Sequence, residues 1–150
     1  MKLTHENKVE RFYSHGSDIR KFQEGGYLSF GYWRDEIVDY RQAVEDLINR
    51  ILKFEKPLNH GMVLNVACGY GSETLKIYEK ICPEKIIAID ITDSHIEYAK
   101  LQVSSLNLSE RIHFEKMDAC KLNFPPDSFD YVIGIEGPAH FNTREVFLKK

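Results

Sequence analysis

The sequence MVLNVACGYGSETLKIYEKI occupies residues 62–81 and joins a short apolar run to an amphipathic stretch through two glycines. The apolar run at 62–67 predicts a buried β-strand, and the spacing of apolar residues after Ser72 predicts a helix. At Gly69 and Gly71 the absence of a Cβ permits a sharp turn and lets a ligand lie against the backbone. The first N–H groups of a helix are unpaired and can bind that ligand. We therefore expect a strand-turn-helix unit with a binding site at its turn.

The alternation of strand-like and helix-like segments continues beyond this unit. It runs through KIIAID at 85–90, DSHIEYAKLQVSSL at 93–106, RIHFEKMD at 111–118 and FDYVIGIEG at 129–137, with a fourth strand expected at 131–135. Strands interleaved with amphipathic helices predict an α/β fold, a Rossmann-like three-layer α/β/α sandwich with a mainly parallel sheet. In such sheets ligands bind at the carboxyl ends of the strands.

The N-terminal part has a different pattern. Residues 1–34 are polar and aromatic, and their glycines interrupt regular periodicity, which predicts a lead-in segment with a loop. Residues 35–54 have apolar side chains at helical spacing, and Asp35 is the expected N-cap. We place this helix with the core and divide the chain into a lid or lead-in segment at 1–34 and a core at 35–150.

Composition excludes several classes of protein. The 150 residues carry 20 Lys and Arg against 23 Asp and Glu, a net charge of −3, so no positive field favours nucleic acid as a partner. No apolar run approaches the ~18 residues of a membrane span, and no signal peptide precedes the core. Three cysteines without a CxxC pair indicate reduced thiols, and we predict a cytoplasmic protein. The histidines lack metal-binding spacing, so no metal is predicted.

Asp90 makes the glycine turn more informative. It ends the second predicted strand, twenty-one residues after Gly69. A carboxylate at this spacing can accept both hydroxyls of a ribose. The third glycine of the GxGxxG pattern is replaced by Thr74, which is less suited to a pyrophosphate. This disfavours an NAD-dependent oxidoreductase and favours a nucleoside ligand without phosphates.

These residues carry a family resemblance. VLNVACGYGSET at 63–74 resembles the first motif, VLDxGCGxGxxT, of class I S-adenosylmethionine-dependent methyltransferases, and FDYVIGIEGPAHF resembles their fourth strand and its following loop. The upstream GGYLSFGYW at 25–33 is similar to the aromatic segment of the small-molecule branch, which includes sterol, tocopherol, quinone, sarcosine and sugar O-methyltransferases. The resemblance implies S-adenosylmethionine as cofactor, S-adenosylhomocysteine as product and the strand order 3-2-1-4.

The resemblance also implies a set of cofactor-binding residues. By their match to the family's motifs these are Tyr32, Trp33, Asn65, Ala67, Cys68, Gly69, Gly71, Asp90, Ile91, Asp118, Ala119 and Ile135. Asp90 would bind the ribose, Asp118 and Ala119 the adenine, and the rings of Tyr32 and Trp33 would close over the positive sulfur. Asn65 stands where the family usually has Asp, and we expect weaker binding of the cofactor's ammonium group as a result.

The loop after the fourth strand holds the candidate catalytic residues. His140 is the expected base, because its unperturbed pKa lies near neutrality, although a loop histidine can also serve only to bond backbone. Glu136 would orient His140, meet an amine substrate, or satisfy a loop N–H. The (Asp/Asn)-Pro-Pro-Tyr motif of enzymes that methylate nucleic-acid bases or protein glutamine is replaced here by Glu-Gly-Pro-Ala.

We therefore predict methyl transfer to the oxygen, nitrogen or carbon of a small-molecule acceptor. The alternatives are a cofactor-binding fragment or subunit that is inactive alone and, less favoured, an NAD-dependent oxidoreductase. The resemblance implies seven strands in the order 3-2-1-4-5-7-6, but only four can be counted. We expect either a truncated enzyme or a homodimer in which a second copy covers the exposed edge of the fourth strand.

Overall fold

The computed structural model describes residues 3–15, 25–37, 39–53 and 60–149. Their helices are α1 (His5–Ser14), α2 (Tyr40–Ile51), α3 (Ser72–Ile81), α4 (Asp93–Ser105) and α5 (Arg144–Leu148). Their strands are β1 (Met62–Val66), β2 (Lys85–Asp90), β3 (Ile112–Lys116) and β4 (Tyr131–Ile133). Short 3-10 turns occupy Ala119–Lys121 and Gly137–His140.

The strands form one parallel sheet in the order β3-β2-β1-β4. Leu64 of β1 is in register with Ile87 of β2 on one side and with Val132 of β4 on the other. The predicted α/β class, the Rossmann-like parallel sheet and the strand order are confirmed. Because every strand runs in the same direction, the loops that follow the four strands meet along one edge of the sheet.

Alternate residues of the strands pack on opposite faces of the sheet. Val63 faces the larger apolar cluster, which includes Val44 of α2, Ile77 of α3 and Ala99 of α4. Leu64, Val66 and Ile89 face the other way and form a second cluster. It is completed by Ala119 and by the rings of Phe124, Phe129, Phe141 and Phe147. Burial on both faces explains the nearly continuous apolar runs of β1 and β2.

Three predicted boundaries were wrong by a few residues. Helix α2 begins at Tyr40 and not at 35, because Asp39, rather than Asp35, caps it by accepting a hydrogen bond of 2.9 Å from the Gln42 N–H. Strand β1 ends one residue before Ala67, whose φ of 54° leaves the extended region. Strand β4 ends at Ile133, two residues before the predicted end, and a turn follows it in which the Gly137 N–H donates to the Ile135 carbonyl at 2.6 Å.

Helix α1 is joined to the edge of the sheet where the strands end. Lys116 at the end of β3 pairs with Glu10 at 2.9 Å, and Lys121 pairs with Glu6 at 3.6 Å. The segment at 25–34 is also packed on the core, since Tyr27 is buried there. The division of the chain at residue 34 stays a prediction.

Strand β4 bonds to β1 alone among the described strands, and its Val132 side chain is 53% exposed. Whether a second copy covers this edge stays a prediction. None of the described helices has the length and apolar character needed to cross a bilayer. The three cysteines are free thiols, of which Cys68 and Cys120 are buried.

Candidate functional site

A cavity of about 360 Å³ lies along the carboxyl ends of the strands. All four strands contribute to it through the residues that end or follow them, and α1 and the 26–30 segment cover it. Its lining includes His5, Glu6, Val9, Tyr13, Leu28, Ser29, Phe30, Ala67, Cys68, Gly69, Glu73, Asp90, Ile91, Thr92, His95, Met117, Asp118, Ala119, Ile135, Glu136 and His140. Ten of the fourteen predicted site residues therefore lie around one cavity, and Tyr32, Trp33, Asn65 and Gly71 lie outside it.

The glycine turn and Asp90 are joined directly. The Gly69 N–H donates to Oδ2 of Asp90 at 2.9 Å, and the Thr92 N–H donates to Oδ1 at 2.9 Å. Nδ1 of His95 lies 3.4 Å from the same Oδ1. Burial would raise the pKa of Asp90, but His95 and the two N–H groups outweigh it and hold that pKa below its usual value. Asp90 is thus a buried, charged carboxylate that retains lone pairs for a ligand.

Gly71 and Asn65 support the site from behind. A Cβ at Gly71 would lie 2.7 Å from Cζ of Phe114 and 2.9 Å from Cβ of Ala99, so the absent side chain lets α3 approach β3 and α4. The Asn65 amide donates to the Ile133 carbonyl at 3.1 Å, and its oxygen accepts from the Thr74 hydroxyl at 2.7 Å. The structure therefore gives both residues packing or bracing contacts, and neither lines the cavity.

The predicted lid residues also face elsewhere. The guanidinium of Arg50 lies 4.3 Å from the ring centroid of Tyr32, and the indole N–H of Trp33 donates to the Phe30 carbonyl at 2.8 Å. The reason is Gly31, whose φ of 82° turns the chain against the backbone of α2, where the Tyr32 N–H bonds to the Ala43 carbonyl. As a result, Phe30 lines the cavity and the two residues after Gly31 do not.

The end of β3 forms one wall of the cavity. Oδ1 of Asp118 accepts from the Cys120 N–H at 2.9 Å, and Oδ2 lies 2.9 Å from Nζ of Lys121. Ala119 is buried beside it, and Met117 contributes a thioether that the sequence did not mark. This wall combines one carboxylate with apolar groups and suits a flat, partly polar ring.

The end of β4 holds the two candidate catalytic residues, and Glu136 makes the last of the three contacts expected for it. Oε2 of Glu136 accepts from the Phe30 N–H at 2.6 Å, so this carboxylate satisfies a loop N–H. Nε2 of His140 lies 2.8 Å from the hydroxyl of Tyr13, and the two rings pack edge to face with centroids 5.4 Å apart. The residue that orients His140 is therefore Tyr13 of α1, 127 positions away in the sequence.

The sequence did not identify Glu73, the most unusual carboxyl group of the cavity. Glu73 is 7% exposed, and its Oε1 accepts a hydrogen bond from the Ser29 hydroxyl. Burial, with a further contribution from the charge of Glu136, raises its pKa to about 7 despite that bond. An acidic residue in the first turn of a helix is ordinary in sequence, and only the folding of 26–30 over α3 buries it.

The lining of the cavity is acidic. Five carboxyl groups line it, from Glu6, Glu73, Asp90, Asp118 and Glu136, together with the imidazoles of His5, His95 and His140. In the described part of the chain, no Lys or Arg side chain lines it, and no group of three or more His, Cys, Asp or Glu is arranged to hold a metal ion. An acidic, partly apolar cavity is complementary to an organic cation.

The sequence matches one protein family. The model described as "Methyltransferase domain" matches residues 63–150, which include β1 to β4 and the loops that line the cavity. Among curated proteins, erythromycin 3''-O-methyltransferase of Saccharopolyspora erythraea is 29% identical over 126 residues, which are 84% of this chain and 41% of that protein. The chain spans between 41% and 52% of the length of the first four curated relatives it matches.

Two solved structures have the same fold. The [4+2]-cyclase SpnF superposes with a TM-score of 0.75 at 23% identity, over 87% of this chain and 48% of that one. Geranyl diphosphate C-methyltransferase from Streptomyces coelicolor A3(2), solved with geranyl diphosphate and S-adenosylhomocysteine, superposes with a TM-score of 0.74 at 5% identity, over 88% and 54%. At such low identities these structures establish the fold.

Proposed function

Since this chain belongs to the methyltransferase domain family, we propose that it binds S-adenosylmethionine and transfers the methyl group to a small-molecule acceptor. The observation that carries the proposal is the order of polar groups along the sheet. Asp118 and Ala119 follow β3, Asp90 ends β2, the glycine turn follows β1, and His140 follows β4. This order corresponds to adenine, ribose, amino-acid part and acceptor, the sequence of groups in the cofactor and its reaction partner.

The residues of the cavity fit this cofactor. Asp90 keeps lone pairs for ribose hydroxyls after it accepts from Gly69 and Thr92. Oγ1 of Thr92 is buried without a hydrogen-bond partner among the described residues, which leaves it available to a ligand. The acidic lining is also complementary to the positive charges of the cofactor.

The catalytic contribution that we propose for the protein is alignment and proton removal. When bound, S-adenosylmethionine would supply the methyl group from its positively charged sulfur to the acceptor atom, and S-adenosylhomocysteine would be the leaving group. His140, held by Tyr13, would take the proton that a hydroxyl or ammonium acceptor loses. Helix α1 and the 26–30 segment, which cover the cavity, would hold the two reactants in line and exclude water.

The relatives support a small organic molecule as the acceptor, and they differ in the atom that is methylated. One relative is named for O-methylation of erythromycin and one neighbour for C-methylation of geranyl diphosphate. A base at His140 favours an acceptor that loses a proton. We therefore propose a small organic molecule and keep oxygen, nitrogen and carbon as outcomes of an acceptor screen.

Calorimetric titration with S-adenosylhomocysteine tests the cofactor half of the proposal. We expect binding by the unaltered chain and a loss of about tenfold or more in Asp90→Ala, because a ribose contact to a charged acceptor is worth about 1.5–3 kcal/mol. Asp93→Ala is the matched control, since Asp93 is exposed at the start of α4, three residues after Asp90, and lies outside the cavity lining. No heat with the unaltered chain would refute cofactor binding.

A screen for methyl transfer to small acceptors tests the other half. With any acceptor found, His140→Ala should lower kcat by about 10²–10⁴-fold, the usual contribution of a positioned base. His60→Ala, which alters an exposed histidine outside the cavity, should leave kcat unchanged. Unchanged kcat in His140→Ala would remove its role as base.

A cofactor-binding role without methyl transfer is the second candidate. The observation that favours it is the superposition on a [4+2]-cyclase, which uses this fold for a different reaction. It predicts S-adenosylhomocysteine binding without turnover of any acceptor. The family match argues against the oxidoreductase alternative, and absence of NADH binding in an absorbance titration would exclude it.

Two further proposals concern the environment of the protein. The homodimer that covers the β4 edge predicts a sedimentation mass of twice the 17.5 kDa of the chain, and a monomer would refute it. A cytoplasmic location accords with the three free thiols, and localisation of a tagged chain would test it.

A further inference from the structure

We propose that Glu73 and Ser29 form the binding site for the α-ammonium group at the amino-acid end of the cofactor. This inference rests on the proposed function, because it assigns one part of S-adenosylmethionine to one part of the cavity. Glu73 is in the first turn of α3, directly after the glycine turn that follows β1. Ser29 reaches it from the segment that covers the cavity.

The first argument is position along the sheet. If adenine lies at the end of β3 and ribose at Asp90, the remainder of the cofactor must continue past the glycine turn toward β4. Glu73 is the carboxyl group that lines this stretch, between Asp90 on one side and Glu136 on the other. Asn65 does not line this stretch, and its amide is already bonded to Thr74 and to the Ile133 carbonyl.

The second argument is the partners of the five carboxylates. Asp90 accepts two backbone N–H groups, and Glu136 accepts one from Phe30. Glu6 and Asp118 both pair with Lys121. Glu73 accepts from the hydroxyl and the backbone N–H of Ser29, and no Lys, Arg or His pairs with it among the described residues, although it is one of the more buried of the five. A buried carboxylate is costly without a cation beside it, and a primary ammonium ligand would supply that cation.

The third argument is the electrostatic environment. Glu73 is faced by Glu136 from the loop after β4, by the Cys68 thiol from the glycine turn and by the Tyr27 phenol from the covering segment. None of these groups is a cation. Burial, followed by the charge of Glu136, raises the pKa of Glu73 to about 7. A bound ammonium would favour the charged form and release the proton that Glu73 carries.

A pair of ligands separates this site from the rest of the cavity. S-adenosylhomocysteine carries the ammonium group, whereas 5′-methylthioadenosine keeps the adenosine and sulfur but lacks the amino-acid part. Calorimetry at pH 8 should show that Glu73→Gln binds S-adenosylhomocysteine about tenfold or more weakly than the unaltered chain, with 5′-methylthioadenosine changed less than about twofold. Glu79→Gln is the control, since Glu79 is exposed on the same helix.

Proton exchange gives a second measurement that needs no variant. In calorimetry near pH 7 with buffers of different ionisation enthalpy, S-adenosylhomocysteine should release a fraction of a proton and 5′-methylthioadenosine should release less. Ser29→Ala should also weaken S-adenosylhomocysteine selectively, by a smaller factor.

The outcomes distinguish the inference from the proposed function. If neither ligand binds the unaltered chain, the proposed function fails. If S-adenosylhomocysteine binds but Glu73→Gln leaves its affinity unchanged, or weakens both ligands equally, the ammonium site is wrong while cofactor binding stands. If Glu73→Gln does not fold, equal proton release with both ligands overturns the inference.

Discussion

The hydroxyl of Tyr13 lies 2.8 Å from Nε2 of His140 and joins α1 to the loop after β4. A second contact accompanies it, because Nε2 of His5 lies 2.8 Å from the backbone carbonyl of His140. These two contacts join α1 to His140, the candidate base. The position of α1 and the orientation of the imidazole therefore depend on each other.

Tyr13→Phe should loosen this connection without removing the aromatic packing. We expect a loss of about 0.5–1.5 kcal/mol in the free energy of unfolding, the usual net contribution of a hydrogen bond, measured by urea denaturation. If His140 is the base, kcat should fall as well, because the ring loses its orienting partner.

A double-mutant cycle provides the control for Tyr13. In a His140→Ala background, Tyr13→Phe should cost little, since the partner is already absent. Equal costs in both backgrounds would mean that the tyrosine hydroxyl stabilises α1 through some other group.

The features that could be predicted from the sequence are those that depend on local residue patterns. Alternation of strand and helix predicted the parallel sheet, and the glycine turn with Asp90 predicted the middle of the cavity, where Gly69 and Asp90 are bonded. The sequence could not predict contacts that join distant segments. The Tyr13–His140 and Ser29–Glu73 pairs are 127 and 44 positions apart, and nothing in either local pattern marks them.

The positions of two predicted lid residues have a local physical cause. Tyr32 and Trp33 were expected over the cavity because GGYLSFGYW resembles the aromatic segment of the methyltransferase family. The left-handed φ of Gly31 turns the chain onto α2 just before them. One backbone angle thus decided which aromatic residues line the cavity, and composition carries no information about that angle.

Glu73 should make stability decrease as pH rises toward neutrality. Its pKa is about 7 in the folded chain against an ordinary value of 4.5 in the unfolded chain, so the folded state binds more protons than the unfolded state between these values. The contribution of Glu73 to the free energy of unfolding is therefore fully present below pH 4.5. It is lost as pH rises through 7, and the loss is about 3 kcal/mol at most. Urea denaturation from pH 5 to pH 8 measures the effect.

Glu73→Gln identifies the source of that pH dependence. An amide does not titrate, so the variant should gain stability relative to the unaltered chain as pH rises from 5 to 8. Glu79→Gln, on the exposed side of α3, should keep the original pH dependence. An unchanged slope in Glu73→Gln would assign the dependence to another group.

Gly71→Ala should test the close approach of α3 to its neighbours. The added Cβ would meet Cζ of Phe114 at 2.7 Å and Cβ of Ala99 at 2.9 Å. Gly25→Ala is the matched control, because Gly25 also has a positive φ but its Cβ would have no neighbour within 3.7 Å. Both variants bear the cost of a left-handed alanine, and overpacking should add about 1–3 kcal/mol to Gly71→Ala alone. Equal thermal destabilisation of the two variants would contradict the packing role.

Gly137 and Ala67 should behave as a coupled pair. A Cβ at Gly137, where the turn that carries His140 begins, would overlap the Cβ of Ala67 in the glycine turn. Gly137→Ala should therefore cost about 1–3 kcal/mol in the free energy of unfolding. In an Ala67→Gly background the same change should cost much less, because the overlapping methyl is gone and Gly137 itself has no left-handed φ to oppose an alanine. Urea denaturation of the four proteins measures the coupling energy, and additive costs would show that the two loops relax apart.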